Sequence, residues 1–418
     1  MFHFIVGLSV LATCYSQVVI TKFDENDGVV NNKQLYNDVV LEGNYNPDVD
    51  LTASQIIRRH GYQSESHVVE TSDGYLLTVH RIPKNKIGQS GQQPVFIQHG
   101  LLSSSADFLI TGDNKSLAFI LSDLGYDVWL GNARGNTYSR GHVSLSTGSE
   151  EFWNFTFHEM AKFDLPSVLS YISNVTGKTG EIIYVGHSMG TTMFYAMASI
   201  MPDFAKEHVK LMVGLAPVAY MTHITSPIKY FAPFVNDIQW IAKHLGIKQF
   251  LPYGLLMKFL SYNCEQLHIE RIICEQVIFV ICGFDQYQFD MKLLPLVLGH
   301  APAGTSTKTI IHFAQEIHYN GNFMQFDYGK EGNIVQYGNS TPPPYEISNI
   351  DVPTYFMYSD NDWLSNEIDV KRLFRGVKNS LGMYRIPYKL FNHVDFIWGK
   401  DAPELVYKQL IDIVQKYS

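Results

Sequence analysis

Short, nearly continuous apolar runs alternate along the chain with helical stretches. From these runs we predict strands at residues 94–98, 126–130, 182–185, 211–215, 353–358 and 384–390. Two further runs, 67–71 and 75–80, are joined by a Ser-Asp-Gly turn and predict a β-hairpin. Strands that are apolar throughout are buried on both faces, so the alternation predicts an α/β fold whose mostly parallel sheet is covered by helices on both sides.

The alternation is interrupted between residues 218 and 344, in a segment rich in aromatic residues, Leu and Ile. Apolar positions of this kind also occur in any protein core. The whole segment, however, stands between the predicted strands at 211–215 and 353–358. We therefore predict a cap or lid domain at 218–344, inserted into a core formed by residues 17–217 and 345–418. A chain of 418 residues is long enough for such a core and its cap.

The first residues of the chain differ in kind from the rest. An apolar run at 4–12 is followed by small or polar residues up to Ser16, and we predict that residues 1–16 are a signal peptide, cleaved near Ser16 or Gln17. Its positive charge is weak, so an uncleaved anchor is the alternative, but the run is far shorter than the ~20 residues that span a bilayer. We expect a protein of the secretory pathway, secreted or lysosomal, without a transmembrane span.

The sequons and the cysteines are consistent with passage through the secretory pathway, which is oxidising and in which proteins are glycosylated. We predict surface glycosylation at the four N-x-S/T sequons, Asn114, Asn154, Asn174 and Asn339. After loss of the signal peptide three cysteines remain, Cys264, Cys274 and Cys282, and one disulfide bond plus one free thiol is the simplest outcome. No C-x-x-C or paired-histidine spacing accompanies them, so we expect neither a metal site nor a catalytic cysteine.

The charge balance argues against one class of partner. The formal net charge is -9 at pH 7, and no long run of Lys and Arg interrupts it. Proteins that bind nucleic acids carry basic patches, so we expect no nucleic-acid partner. At 46% hydrophobic residues the chain can bury a large core.

The stretch Gly186-His187-Ser188-Met189-Gly190 follows the predicted strand at 182–185 and precedes a helix-compatible stretch. This pattern is typical of a nucleophile elbow, in which a serine is presented on a sharp turn from strand to helix. Both glycines are needed because a Cβ at either position would collide with the adjoining strand and helix. Ser188 is therefore the candidate nucleophile.

A serine hydroxyl attacks efficiently only when an imidazole takes its proton and a carboxylate orients that imidazole. In α/β-hydrolases the acid and then the histidine follow the serine along the chain. We assign these roles to Asp362, after the predicted strand at 353–358, and to His393, after the one at 384–390, because loops at strand ends form the active sites of such sheets. Their close neighbours Asp360 and Asp395 are the alternatives.

The tetrahedral intermediate also needs hydrogen-bond donors. A His99-Gly100 pair ends the predicted strand at 94–98, where an α/β-hydrolase places one amide of the oxyanion hole, and the residue after the nucleophile supplies the other. We predict the backbone amides of Leu101 and Met189 as the two donors. Because the donors are amides, side-chain identity should matter little.

Beside the elbow stand longer blocks at residues 99–102, 125–137, 152–155, 159–166, 282–285, 302–306 and 392–396. With them, from about Tyr45 to the C-terminus, the chain resembles the acid lipase family, the gastric and lysosomal acid lipases with their insect relatives. The resemblance implies an α/β-hydrolase fold with a cap over an apolar acyl pocket, and a triad of Ser188, Asp362 and His393. It also implies a disulfide bond between Cys264 and Cys274, which leaves Cys282 free.

Two residues depart from the family pattern. Met189 stands where gastric and lysosomal members usually carry Gln, which keeps the backbone donor but removes a polar side chain, so substrate preference or rate is expected to differ. Ala133 stands where Ser is common, and we draw no functional conclusion from it.

We therefore expect a serine ester hydrolase that cleaves triacylglycerols or cholesteryl esters at a lipid–water interface, as a monomer and without metal or other cofactor. Attachment to the interface through the apolar cap is inferred from composition. The alternative among enzymes is a carboxylesterase for short soluble esters. The alternative outside them is a lipid-binding or yolk-type relative that has kept the fold and lost catalysis.

Overall fold

The computed structural model describes residues 46–230, 232–251, 279–318 and 322–417. Within the chain, Asp48–Ser418 forms one compact unit. The predicted signal peptide at 1–16 and the predicted disulfide bond between Cys264 and Cys274 lie outside the described residues, and both stay predictions.

A large, mostly parallel sheet forms the centre of this unit. The strands in the described residues are β1 (Glu65–Glu70), β2 (Tyr75–Ile82), β3 (Pro94–Gln98), β4 (Asp127–Leu130), β5 (Gly141–His142), β6 (Ile182–His187), β7 (Val209–Leu215), β8 (Gln249–Phe250), β9 (Thr305–Ser306), β10 (Thr354–Tyr358) and β11 (Ser380–Arg385). The main sheet has the order β1-β2-β4-β3-β6-β7-β10-β11, with β5 paired to β2, while β8 and β9 form a separate pair. Strand β2 pairs antiparallel with β1, β4 and β5, and the pairs of the main sheet that run from β4 through β3, β6, β7 and β10 to β11 are all parallel, whereas β8 and β9 are antiparallel.

The hairpin and the strands predicted from the apolar runs match β1–β4, β6, β7 and β10 to within a few residues. The prediction for the last strand, 384–390, is wrong, because β11 lies earlier and pairs with β10 from Ser380 to Arg385. Pro387 accounts for the early end of the strand, since proline has no N–H to donate to a ladder. The apolar residues after Arg385 belong to the loop that leads to His393.

Helices cover both faces of the sheet. In chain order they are α1 (Ala53–Arg59), α2 (Leu117–Asp123), α3 (Phe157–Glu159), α4 (Leu165–Thr176), α5 (Met189–Ile200), α6 (Pro202–His208), α7 (Val235–His244), α8 (Leu294–His300), α9 (Thr307–His318), α10 (Gly329–Tyr337), α11 (Glu367–Gly376), α12 (Asp395–Trp398) and α13 (Lys408–Tyr417). Alternate residues of a strand join different hydrophobic clusters: Val95 and Ile97 of β3 pack in one, and Phe96 packs in the other. Both faces of the central strands are therefore buried, as their continuous apolar character predicts.

Local sequence signals set the ends of these helices. Helix α4 carries Pro166 in its first turn, directly after a π-helical turn, and it ends at Gly177, whose φ of 68° lies in the left-handed region. A π-helical turn, Met160–Asp164, joins α3 to α4. Helix α4 packs against the central helix α5, and residues of both helices belong to the same hydrophobic cluster.

Between β7 and β10, the described residues add no strand to the main sheet. The chain leaves the sheet after Leu215 and returns at Thr354, and the described parts of the interval contribute α7 to α10 and the small β8–β9 pair. The cap domain at 218–344 and the core boundaries at 17–217 and 345–418 stay predictions. None of the described helices has both the length and the apolar character needed to cross a bilayer.

Candidate active site

The candidate nucleophile lies on the sharp turn between β6 and α5. Ser188 has φ 53° and ψ -120°, a conformation that L residues rarely adopt, and its amide donates to the Leu215 carbonyl at 3.1 Å. A Cβ on Gly186 would lie 2.9 Å from the backbone carbon of Gly190, and a Cβ on Gly190 would press into the carbonyl of Gln98 on β3. The glycines thus permit the close approach that the elbow pattern predicts.

The predicted triad residues come together at this turn. His393 Nε2 lies 2.8 Å from Ser188 Oγ, and His393 Nδ1 lies 2.9 and 2.8 Å from the two carboxylate oxygens of Asp362. Because the Asp362 carboxylate can only accept, Nδ1 carries the proton and Nε2 offers its lone pair to the serine hydroxyl. His393 and Asp362 are buried, and Ser188 is half-buried. This tautomer makes the imidazole a base toward Ser188.

Neighbouring amides hold the Asp362 carboxylate in place. Its Oδ1 accepts from the backbone N–H groups of Leu364 at 2.9 Å and Ser365 at 2.7 Å. Ser365 Oγ in turn donates to the Pro217 carbonyl at 2.7 Å, which ties this loop to the segment after β7. The carboxylate is therefore fixed on one side by amides and on the other by His393.

The alternative carboxylates have other partners. Asp360 forms a two-pronged ion pair with Arg385 near the surface, with Arg385 Nε at 2.6 Å from its Oδ1. Asp395 accepts from the Asn392 amide at 2.7 Å. The structure thus brings Asp362 to His393 and directs these two carboxylates elsewhere.

The predicted oxyanion donors flank the nucleophile. Among the described residues, neither the Leu101 amide nor the Met189 amide has a hydrogen-bond acceptor. A Cβ on Gly100 would lie 3.1 Å from Ser188 Cβ, so the loop after β3 that carries Leu101 passes directly beside the serine. The Met189 side chain is buried in a hydrophobic cluster, so only its backbone is available to a ligand.

His99 shapes the loop that carries Leu101, a role that the H-G pattern alone does not specify. Its Nε2 accepts from the Ala133 amide at 3.0 Å and lies 3.2 Å from Asn136 Nδ2, while its Nδ1 donates to the Gly100 carbonyl at 2.8 Å. Burial lowers the pKa of His99 to about 4. The ring is therefore neutral, and it links the oxyanion loop to the loop after β4. Ala133 contributes through its amide, which serine would supply equally.

Cys282 is a free, buried thiol, and burial raises its pKa, so it has little thiolate character. Its carbonyl, however, accepts from the amides of Trp363 at 3.4 Å and His393 at 3.3 Å. The Gly283 carbonyl accepts from Asn392 Nδ2 at 2.9 Å. One short segment thus joins the loop of the candidate acid to the loop of the candidate base, and only the resemblance block at 282–285 pointed to it.

A second pair of carboxyl groups lies behind His393. Burial raises the pKa of Asp395 and of Asp285, and the nearby Asp285 carboxylate raises that of Asp395 further, while Asp285 Oδ2 and Asp395 Oδ1 are buried and have no donor among the described residues. Asp285 Oδ1 accepts from the amides of Tyr287 at 2.9 Å and Gln288 at 3.2 Å. Two ionised carboxylates side by side in the interior would repel each other with no donor between them, so we infer that this pair retains a proton in the folded state.

The four predicted glycosylation sites, Asn114, Asn154, Asn174 and Asn339, are all exposed. In the part of the chain that the structure describes, no group of three or more His, Cys, Asp or Glu side chains is arranged to hold a metal ion. Use of the sequons and the absence of a cofactor stay predictions.

Comparison with known proteins bears on both fold and chemistry. The chain matches the model of a partial α/β-hydrolase lipase region at residues 53–112 and that of the α/β-hydrolase fold at residues 93–233. It is 38% identical to the lysosomal acid lipase/cholesteryl ester hydrolase of Homo sapiens over 376 residues, which cover 89% of this chain and 92% of that protein. It is 39% identical to the gastric triacylglycerol lipase of Rattus norvegicus over 376 residues, 88% of this chain and 93% of that one.

A candidate lipase of Sulfolobus solfataricus of known structure is similar in fold, with a TM-score of 0.53 and 14% identity over 85% of this chain and 99% of that chain. At that identity the likeness concerns the fold alone. Together with the fold model, it confirms the predicted α/β-hydrolase fold.

Proposed function

The chain belongs to the acid lipase family, the family of the lysosomal acid lipases and the gastric lipases, and we propose that it cleaves ester bonds of neutral lipids through an acyl-enzyme on Ser188. The observation that carries this proposal is the continuous hydrogen-bonded line from Ser188 Oγ through His393 to Asp362. Such a line activates a hydroxyl that is otherwise a poor nucleophile.

In the acylation step, Ser188 Oγ attacks the ester carbonyl while its proton moves to His393 Nε2. The resulting imidazolium is stabilised by the Asp362 carboxylate, which accepts a hydrogen bond from Nδ1–H, stays ionised, and is held in position by two backbone amides. His393 then gives its new proton to the departing alcohol. Water next attacks the acyl-enzyme, and His393 serves as base and acid in the same way.

The negative charge that develops on the carbonyl oxygen needs donors that are already in place. We assign this role to the amides of Leu101 and Met189, which lack acceptors among the described residues and flank the nucleophile. Loss of one such donor in other enzymes costs about 10²- to 10³-fold in kcat. Only proline removes a backbone N–H, and it also fixes φ, so the loop anchored by His99 is the part of this site that substitution can change without altering the backbone at the donors.

Two observations support a lipid ester as substrate. An apolar cluster of Val218, Met221 and Ile224 packs with Leu364, two residues from Asp362, so apolar side chains lie close to the triad. Helix α7 and the segment after it expose large apolar side chains, among them Trp240 at 61% and Leu245 at 68%. Exposed apolar patches commonly mark contact with lipid or protein, and we propose that this one meets the lipid–water interface.

The relatives include a lysosomal acid lipase/cholesteryl ester hydrolase and a gastric triacylglycerol lipase. We extend these two ester classes to this chain as its candidate substrates. We also propose that it acts as a secreted or lysosomal monomer, glycosylated at Asn114, Asn154, Asn174 or Asn339, bridged between Cys264 and Cys274, and without a cofactor.

The experiment that tests the proposal is hydrolysis of emulsified long-chain triacylglycerol and of cholesteryl oleate by the purified protein, at acid and neutral pH, beside Ser188→Ala. Turnover by the wild type that disappears in the variant is expected. Activity that rises sharply once the substrate exceeds its solubility limit supports a lipase, whereas activity confined to short dissolved esters would reassign the protein as a carboxylesterase. Binding of lipid without turnover by either protein would identify a non-catalytic carrier.

A further inference from the structure

His187, the residue before the candidate nucleophile, reaches back to the candidate base. Its side chain is buried, and its Nε2 lies 2.9 Å from the backbone carbonyl oxygen of His393, a residue that follows it by more than two hundred positions. A carbonyl oxygen can only accept, so Nε2 carries a proton and donates it. The two imidazole rings lie side by side, with centroids 5.1 Å apart.

The other nitrogen of His187 fixes its charge state. Among the described residues Nδ1 is buried without a hydrogen-bond partner, and Gly100 lies beside it, where an added Cβ would come within 3.1 Å. A second proton at Nδ1 would place an unpaired charge in this interior, and burial together with the neighbouring His393 lowers the pKa of His187 to about 3. His187 is therefore a neutral donor through the whole pH range from mild acid to neutrality.

The contact from His187 completes the set of bonds around His393. The amide of His393 donates to the Cys282 carbonyl at 3.3 Å, and its carbonyl accepts from His187. Its ring nitrogens contact Asp362 and Ser188. Both the backbone and the side chain of the base are thus held, and one of the four contacts comes from the residue bonded to the nucleophile itself.

We infer that His187 is a positioning residue, whose Nε2–H couples the backbone of His393 to the elbow so that base and nucleophile keep their 2.8 Å contact. The inference rests on the proposed serine hydrolase function. Because the donor projects from the same turn that presents Ser188, a shift of the turn carries the base with it. A misplacement of about 1 Å at a reacting pair can cost on the order of 10²-fold in rate, so this coupling bears directly on kcat.

A matched set of substitutions separates the hydrogen bond from simple packing. His187→Gln places an amide N–H near the position of Nε2, and His187→Met fills a similar volume without a donor. His187→Asn is polar but too short to reach the His393 carbonyl. For a soluble p-nitrophenyl ester we expect His187→Gln to keep most of the wild-type kcat. We expect His187→Met and His187→Asn to lose about 10- to 10²-fold in kcat with KM nearly unchanged.

The rate of phosphonylation by a p-nitrophenyl alkylphosphonate gives a second readout that does not depend on deacylation. His187→Met and His187→Asn should be labelled more slowly than wild type by a similar factor, with one equivalent of phosphonate bound per protein at completion. His187→Gln should be labelled at nearly the wild-type rate. Equal losses of rate in all three variants would mean that His187 acts only through packing. Wild-type rates in His187→Met or His187→Asn would overturn the inference outright.

These outcomes are distinct from failure of the proposed function. If the proposed function is wrong, the wild-type protein itself fails to be labelled at Ser188, whatever the variants do. Should His187→Met fail to fold, as judged by its thermal unfolding transition, the comparison of Gln with Asn still decides between a donor and a filler.

Discussion

Asp360 and Asp362 stand two residues apart, yet their carboxylates face different partners. Asp362 is buried against His393 and two amides, whereas Asp360 is paired with Arg385 near the surface. In sequence the two are almost equivalent as candidates for the acid of the triad. The difference arises from the turn at 362–365, in which Asp362 Oδ1 accepts hydrogen bonds from the backbone amides of Leu364 and Ser365.

We predict that Asp362→Asn lowers kcat/KM for a soluble ester by about 10³- to 10⁴-fold, because an amide in this place can donate to Nδ1 and so favour the unproductive tautomer of His393. Asp360→Asn is the matched control and should retain activity, since it removes only a partly exposed ion pair. Steady-state rates for both variants test this pair. A comparable loss in Asp360→Asn would mean that the acid has been assigned to the wrong carboxylate.

The buried side chain of Met189, the residue after the nucleophile, can be tested by substitution. Met189→Gln restores the side chain usual in gastric and lysosomal relatives, while the backbone donor is retained. The Met189 side chain is buried in a hydrophobic cluster, and burial of an amide without partners costs about 1–3 kcal/mol, so we expect a lower denaturation midpoint. Activity should change by less than about tenfold, because the oxyanion donor is the amide. A loss as large as that in Ser188→Ala would show that the side chain itself takes part.

At the scale of elements, the sequence predicts most of the sheet, because buried strands here are continuous apolar runs bounded by turns. Strands of only two residues carry no such pattern and are not predicted; these are β5, β8 and β9. The end of β11 is missed because the apolar residues after Pro387 continue the run without continuing the ladder. In the site, chain order and motif identify Ser188, Asp362 and His393.

Other contacts in the site could not be predicted from the sequence. The contacts from His187 and Cys282 to His393 use backbone carbonyl and amide groups more than a hundred residues away. Backbone acceptors of this kind leave no mark on residue identity, so only the fold shows that they meet. The same limit applies to His99, whose acceptor nitrogen meets an amide at Ala133.

The elbow itself makes a prediction about packing. Gly190→Ala should destabilise the protein by about 1–3 kcal/mol and lower activity strongly, because the added methyl group presses into the Gln98 carbonyl where β3 meets α5. Gly148→Ala is the control: its Cβ would meet only Ser146 Oγ, at 3.6 Å, and the change should stay within about 0.5 kcal/mol. Urea unfolding and ester hydrolysis measure both effects. Equal stability of the two variants would contradict the close strand–helix contact.

At the scale of the whole molecule, buried titratable groups set how stability responds to pH. Burial lowers the pKa of His80 and of His99 to about 4, so the unfolded chain takes up protons below about pH 6.5 that the native state refuses. Burial raises the pKa of Asp285 and of Asp395, so above about pH 4 the native state retains protons that the unfolded chain has lost. The two sets therefore act on stability in opposite directions between about pH 4 and 6.5.

The carboxyl pair alone should make stability fall as the pH rises through its raised folded pKa, because ionisation of both groups would leave two buried charges side by side. Asp395→Asn keeps an acceptor for the Asn392 amide and offers an N–H to Asp285 without a titrating proton. We predict that its melting temperature exceeds that of wild type near pH 7.5 and approaches it near pH 4.

Thermal unfolding across this range measures the effect, with Glu207→Gln, an exposed carboxylate, as control. A constant offset at every pH would contradict the retained proton.

If catalysis passes through an ester on Ser188, that ester can be trapped during turnover. The protein is mixed with p-nitrophenyl butyrate, quenched in acid during turnover, digested, and mapped by mass spectrometry. We expect one butyryl adduct, on Ser188, that is absent in Ser188→Ala and forms far more slowly in His393→Ala. An adduct on another residue, or unchanged hydrolysis by Ser188→Ala, would contradict it.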